Sequence, residues 1–168
     1  MNDPTSNTDD ARLPVDPDLE VEQSPAGDAL PIHLRPSYLA LVFVGGTVGT
    51  ASREALSLAF PPVNGVPYAI FGINVLGALL LGILLEALAR RGEDHGRRRT
   101  VRLLLGTGFM GGFTTYSALA ADSAALIGEG ALGSGIGYAL VTVIAGAAAT
   151  WSGIALATSI RRPAEGLR

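Results

Sequence analysis

The residues able to do chemistry here are polar ones set into otherwise apolar segments. Asn74 is a lone amide between Ile73 and Val75, while Thr114, Thr115, Tyr116 and Ser117 place four hydroxyls in succession. Tyr138 and Thr142 stand four residues apart and therefore share one helical face. An amide in hydrocarbon must find partners, so Asn74 faces either a neighbouring helix, as interhelical glue, or a hydrated path. The polar run further along the chain favours the path. Four consecutive hydroxyls put some on every face, and they cannot all be idle against lipid. Thr142 has two readings of equal weight, bonding back to its own helix or lining a pathway. Arg53 sits inside an apolar segment beside Glu54; it either snorkels or caps a helix end, or it draws anions electrostatically.

These groups centre on residues 106–122, GTGFMGGFTTYSALAAD. Within it, Gly111, Gly112, Phe113, Thr114 and Thr115 combine paired glycines with β-branched residues, both weak helix formers. The paired glycines alone are equally consistent with close helix packing. The hydroxyls that follow favour a break between Gly111 and Thr115. Unpaired backbone facing lipid costs several kcal/mol per group, so a break at that depth must be covered by protein or by a water-filled cavity. Such a break marks a site.

The surrounding chain has the composition of a membrane protein. Of 168 residues, 48% are hydrophobic, 22 are glycine and none is cysteine, which excludes disulfides and thiolate metal sites. Four apolar segments, 37–60, 68–89, 101–127 and 131–160, each exceed the roughly 20 helical residues that cross a bilayer. The expected fold is an all-α integral membrane protein of four transmembrane helices, the third broken, running up and down over residues 37–160. Residues 1–36 carry six prolines, and eight of the fifteen acids lie in 1–30 against Arg12 alone. That composition predicts a disordered acidic tail, solvated rather than an interaction segment, and it lacks the pattern of a signal peptide. Residues 161–168 form a basic C-terminal tail.

Ten arginines, at 35, 90, 91, 97, 98, 99, 102, 161, 162 and 168, fall on the side shared by the termini and the middle loop, and only Arg53 lies toward the other. The bias predicts cytoplasmic N- and C-termini in a cell (inner or plasma) membrane. A nucleic-acid patch at Arg97, Arg98 and Arg99 is the weaker reading, so no nucleic-acid partner is expected.

Together these stretches resemble the CrcB/Fluc family of fluoride channels. The likeness rests on GGTVGTASR in the first segment, INVLGALLLG with Asn74 in the second, GTGFMGGFTTYS in the third, and the Tyr138 and Thr142 face of the fourth. The resemblance implies a fluoride-selective channel that lets fluoride leave the cytoplasm passively. It implies an antiparallel, dual-topology dimer with two narrow pathways, and a structural sodium ion at the dimer centre held by backbone carbonyls of Gly111 and Thr114. It implies an ion pathway in which Asn74 donates to fluoride and Tyr116 presents its positive ring edge. Fluoride accepts hydrogen bonds strongly and holds its water tightly, so a pathway must offer donors; Asn74, Thr115, Ser117, Tyr138 and Thr142 are the candidates. No lysine occurs anywhere, and a line of fixed cations would hold the ion too long.

Two departures from the family pattern stand out. Ala118 and Leu119 follow Ser117 where the family continues with threonine and phenylalanine, and Ala69 and Ile70 replace its Gly-Thr. With the arginine bias, which discourages one chain from inserting both ways, they favour a heterodimer with an oppositely oriented homologue over a homodimer. Two alternatives remain: a non-conducting or half-competent partner subunit, and a proton-coupled small multidrug-type exporter. The exporter needs a titratable carboxylate at mid-membrane, which Glu54, Glu86 and Asp122 do not convincingly supply. No enzyme is expected: His33 and His95 lack metal-ligand spacing, and no nucleophile and base recur in one segment.

Overall fold

The computed structural model describes residues 34–160. The acidic tail, apart from its last three residues, and the basic C-terminal tail both lie outside them. Among the described residues the chain is all-helical. Helix α1 is Pro36–Ala59, with a proline in its first turn, and α2 is Tyr68–Ala89. The third rod is composite, with α3 (Arg97–Val101), a π-helix (Arg102–Met110), α4 (Gly111–Phe113) and α5 (Tyr116–Gly128) in succession. Helix α6 is Leu132–Ser159. The α1–α2 connection is a tight turn in which Asn64 (φ 52°) and Gly65 (φ 79°) are both left-handed, closed by a lone bridge between Val63 and Val66.

Close approach of backbones fixes how the rods lie. A Cβ on Gly45 would meet the Leu104 carbonyl, and one on Gly49 would meet the Phe109 carbonyl. Gly108 also comes close to the Val42 carbonyl, at 2.9 Å from its would-be Cβ. The paired positions rise together, so α1 runs parallel to the third rod. On the other side, Gly82 abuts the Thr150 carbonyl (2.6 Å from a would-be Cβ), Gly153 abuts Leu79, and Arg90 donates to the Thr158 carbonyl at 2.9 Å. Here α2 and α6 run parallel. The start of α1, the loop after α2, the start of the third rod and the end of α6 therefore share one end. That end carries Arg90, Arg91, Arg97, Arg98, Arg99 and Arg102.

The loop at this end is held by charge. Asp94 accepts from Arg102 (Nη2 at 2.6 Å, Nε at 2.9 Å), with Arg99 3.6 Å away. Burial pushes the Asp94 carboxyl up, but the hydrogen bond and charge of Arg102, aided by Arg99, outweigh it and leave the group below its ordinary value. Arg97 to Val101 are already helical, one turn earlier than the sequence suggested.

Helices α2 and α6 are long and apolar enough to cross a membrane. Large apolar side chains face outward along the rods, among them Phe43, Leu140, Ile144 and Trp151, a surface suited to lipid or to a second subunit.

The break in the third rod is narrower than the sequence suggested. Gly111, at φ −64° and ψ −34°, stays helical, and the helix persists to Phe113. Only Thr114 (ψ 155°) and Thr115 (φ −150°, ψ 121°) are extended. Gly112 instead serves packing, because a Cβ there would strike the Gly46 carbonyl and the Thr50 hydroxyl. The glycine seam yields a direct test by thermal unfolding in detergent. Gly45→Ala is expected to cost about 2 kcal/mol through overpacking. Gly72→Ala, with nothing within 4 Å of the added methyl, is expected to be neutral or stabilising.

Candidate functional site

The extended Thr115 needs a partner for the amide that the helix no longer serves, and Asn74 on α2 supplies it. Its Oδ1 accepts from the Thr115 amide at 2.7 Å, and its Nδ2 donates to the Thr115 carbonyl at 3.0 Å. One side-chain amide thus pairs with both sides of one residue's backbone and leaves the second Nδ2 hydrogen free of that pair. Thr115 then starts the next helix as its N-cap: its hydroxyl accepts from the Ala118 amide at 3.1 Å and lies 3.2 Å from the Ser117 hydroxyl. Thr114 turns back, its amide (2.9 Å) and hydroxyl (2.8 Å) both donating to the Met110 carbonyl. Its methyl presses on Gly77, where no Cβ would fit.

These diversions have a consequence for two carbonyls. In a continuous helix the Gly111 carbonyl would accept from the Thr115 amide, and that of Thr114 from the Ala118 amide. Both amides are committed elsewhere, to Asn74 Oδ1 and Thr115 Oγ1. Neither carbonyl therefore keeps its helical partner amide at the break. The Gly112 carbonyl between them is met by the Thr50 hydroxyl at 3.4 Å. Sequence reasoning did not single out Thr50; its position one turn beyond Gly46 was the available signal.

The structure gathers Asn74, Thr115 and Ser117 into one hydrogen-bonded group and puts the other expected residues elsewhere. Tyr116 points away from the rest of the chain, 80% exposed. Tyr138 is buried and donates to the Pro67 carbonyl at 3.3 Å, whereas Thr142, 3% exposed, donates to the Tyr138 carbonyl at 2.7 Å. The hydroxyl protons of this pair are thus engaged within the subunit. Leu119 is buried with Leu126 and Tyr138, so the position where the family pattern expects phenylalanine fills the subunit's own core.

Arg53 lies apart from the break, lining a cavity of about 240 Å³ at the end remote from the arginine loop. Ser57 and Asp122 line the same cavity. Arg53 Nε, Ser57 Oγ and Asp122 Oδ2 are each buried without a hydrogen-bond partner among the described residues. A donor, a hydroxyl and an acceptor left unmatched around one space call for water or a hydrated ion. The sequence placed Arg53 beside Glu54, and both line this cavity, but the meeting of Arg53 with Ser57 and with Asp122, on another rod, was not legible.

Comparison with known proteins gives this arrangement a context. A family profile described as CrcB-like protein, Camphor Resistance (CrcB), matches residues 40–154. The chain is 54% identical over 132 residues to the fluoride-specific ion channel FluC 2 of Leifsonia xyli subsp. xyli, covering 79% of this chain and 91% of that one. It is 46% identical over 122 residues to the fluoride-specific ion channel FluC 1 of Cutibacterium acnes, covering 72% and 85% respectively. It is 39% identical over 114 residues to a FluC 1 of Streptomyces coelicolor, covering 67% and 72%.

The clamp and the cap separate by substitution. Asn74→Leu strands the amide of Thr115, whose carbonyl as N-cap still accepts the first bond of α5, and is expected to destabilise the chain by about 1 to 3 kcal/mol. Thr115→Val removes only the cap, for about 1 kcal/mol. Thermal or denaturant unfolding of the two variants in the same detergent reads the difference.

Proposed function

The chain belongs to the CrcB family, and on that footing we propose that it forms a fluoride-selective channel through which fluoride leaves the cytoplasm passively. The observation that carries this reading is the Asn74 clamp on Thr115, which leaves polar groups at a helix break while keeping the backbone of Thr115 satisfied. Fluoride gives up tightly held water only where donors replace it. The second Nδ2 hydrogen of Asn74 and the hydroxyls of Thr115 and Ser117 are grouped for that role, without a fixed cation among them to retain the ion. Arg53 at the remote cavity raises the local anion concentration. Tyr138 and Thr142 belong to the pathway only if their hydroxyls leave the bonds that now hold them.

The pathway is completed by a second subunit. The outward ring of Tyr116 then meets the partner, where its positive edge faces the passing anion. The same contact brings the carbonyls of Gly111 and Thr114 toward their counterparts. Oxygen dipoles of this kind suit a hard monovalent cation, and a sodium ion held there would supply a fixed positive charge and lock the two breaks together. The donor set fits that group.

We propose the partner to be an oppositely oriented homologue. Its support is the ten-to-one arginine bias together with the buried Leu119, which offers no aromatic edge from that position. In that assembly the termini of this chain are cytoplasmic, and the partner contributes the aromatic that this chain lacks.

Fluoride efflux from liposomes holding the chain, alone and with a co-expressed homologue, tests the central reading. Asn74→Asp replaces the donor with a repelling carboxylate and is expected to reduce efflux at least about tenfold; unchanged efflux contradicts the pathway. Reporter tags on both termini test the pairing. Expressed alone, the chain is expected to show a single orientation, and equal populations in both would remove the heterodimer.

A further inference from the structure

The arginine-bearing end of the molecule is only partly satisfied by its own residues. Residues 90–102 hold six arginines against Glu93 and Asp94. Arg90 is engaged by Glu86 and the end of α6, Arg102 and Arg99 by Asp94, and Arg98 by the Arg91 carbonyl. Arg91 and Arg97 are exposed, and neither side chain has an ion-pair partner among the described residues. Residues 1–33, outside the described part, carry eight acids against Arg12. They join α1 at the same end, because α1 runs parallel to the third rod. The family match begins at residue 40, so the channel fold shared with relatives does not account for the acidic stretch.

We propose that residues 1–33 dock across the arginine face of their own subunit, with Arg91 and Arg97 as principal contacts, and shield that face from other anions. Length does not limit the contact. A chain of this size extends to about 110 Å, against about 10 Å between the axes of packed helices. Tethering holds the acids at an effective concentration in the millimolar range. One exposed ion pair contributes at most about 1 kcal/mol and is screened by salt, so the contact is made by many acids acting together and is released by salt. Anionic lipid headgroups present the same charge, but they lack the tether.

The absence of cysteine makes the test clean: Asp18→Cys and Glu93→Cys give a donor and acceptor pair in the full chain without background labelling. In neutral-lipid nanodiscs, energy transfer is expected to be high at about 0.02 M salt and to fall at least about twofold at about 0.5 M. It is expected to fall similarly at low salt when Arg91→Gln and Arg97→Gln are combined. Transfer that ignores both salt and the arginine substitutions overturns the proposal. Adding anionic lipid at low salt distinguishes the competitor: retained transfer supports the tethered stretch, and lost transfer assigns the face to headgroups and overturns it.

Discussion

A backbone that leaves the helix at membrane depth must have its polar groups met, and in this protein one side chain meets them. Asn74 accepts from the amide and donates to the carbonyl of Thr115, giving the amide the partner that the Gly111 carbonyl would supply in a continuous helix. That substitution is what allows an extended pair of residues inside the third rod. It also decides which carbonyls lose a helical partner. Because the amides of Thr115 and Ala118 are taken by side chains, the Gly111 and Thr114 oxygens lose their i+4 partners while the helix before them stays regular to Phe113. The same interaction that stabilises the break thus creates its chemical character.

The rest of the fold serves to bring Asn74 and Thr115 within reach and hold them there. Glycines at 45, 49, 108 and 112 let α1 lie directly on the third rod, and Gly82 and Gly153 do the same for α2 and α6. Gly77, three residues after Asn74, gives the Thr114 methyl its place. A side chain at that position would push the break away from α2 and lengthen both Asn74 hydrogen bonds. These seam glycines share one purpose, short distances between rods, and the short distances are what the clamp requires. Among the helices that pack this way, the π-helical stretch Arg102–Met110 stands apart. Its wider turn carries the third rod from the arginine loop to the break, and geometry of this kind is rare outside functional segments.

Much of this was legible before any coordinates. Helix α2 has the bounds that its apolar run suggested, and α1, the third rod and α6 differ from expectation by a few residues at their ends, since length and hydropathy alone determine a span. The break was legible as a neighbourhood, but its cause was misassigned between two kinds of residue. Glycines weaken a helix in isolation, yet here Gly111 and Gly112 remain helical and Gly112 serves packing, whereas the threonines leave the helix because side-chain oxygens and Asn74 offer their backbone other partners. Such long-range partners cannot be read from local propensity. Tyr138 and Thr142 share a face, as their spacing required, but the Pro67 carbonyl that engages Tyr138 comes from the N-cap of α2, distant in the chain. The cavity around Arg53, Ser57 and Asp122 escaped notice for the same reason, being assembled from distant segments. A nine-residue π-helix leaves too short a pattern to separate from an α-helical period.

The central claim is that the Asn74 amide substitutes for helix hydrogen bonds at Thr115. Residue-resolved amide hydrogen exchange of the chain in lipid nanodiscs tests it most directly. The Thr115 amide lies outside any helix, yet it is expected to exchange as slowly as its helical neighbours in the native chain, and to lose that protection selectively in Asn74→Leu while amides in the middle of α6 keep theirs. Fast exchange at Thr115 in the native chain, or protection that survives the loss of Asn74, would contradict the account.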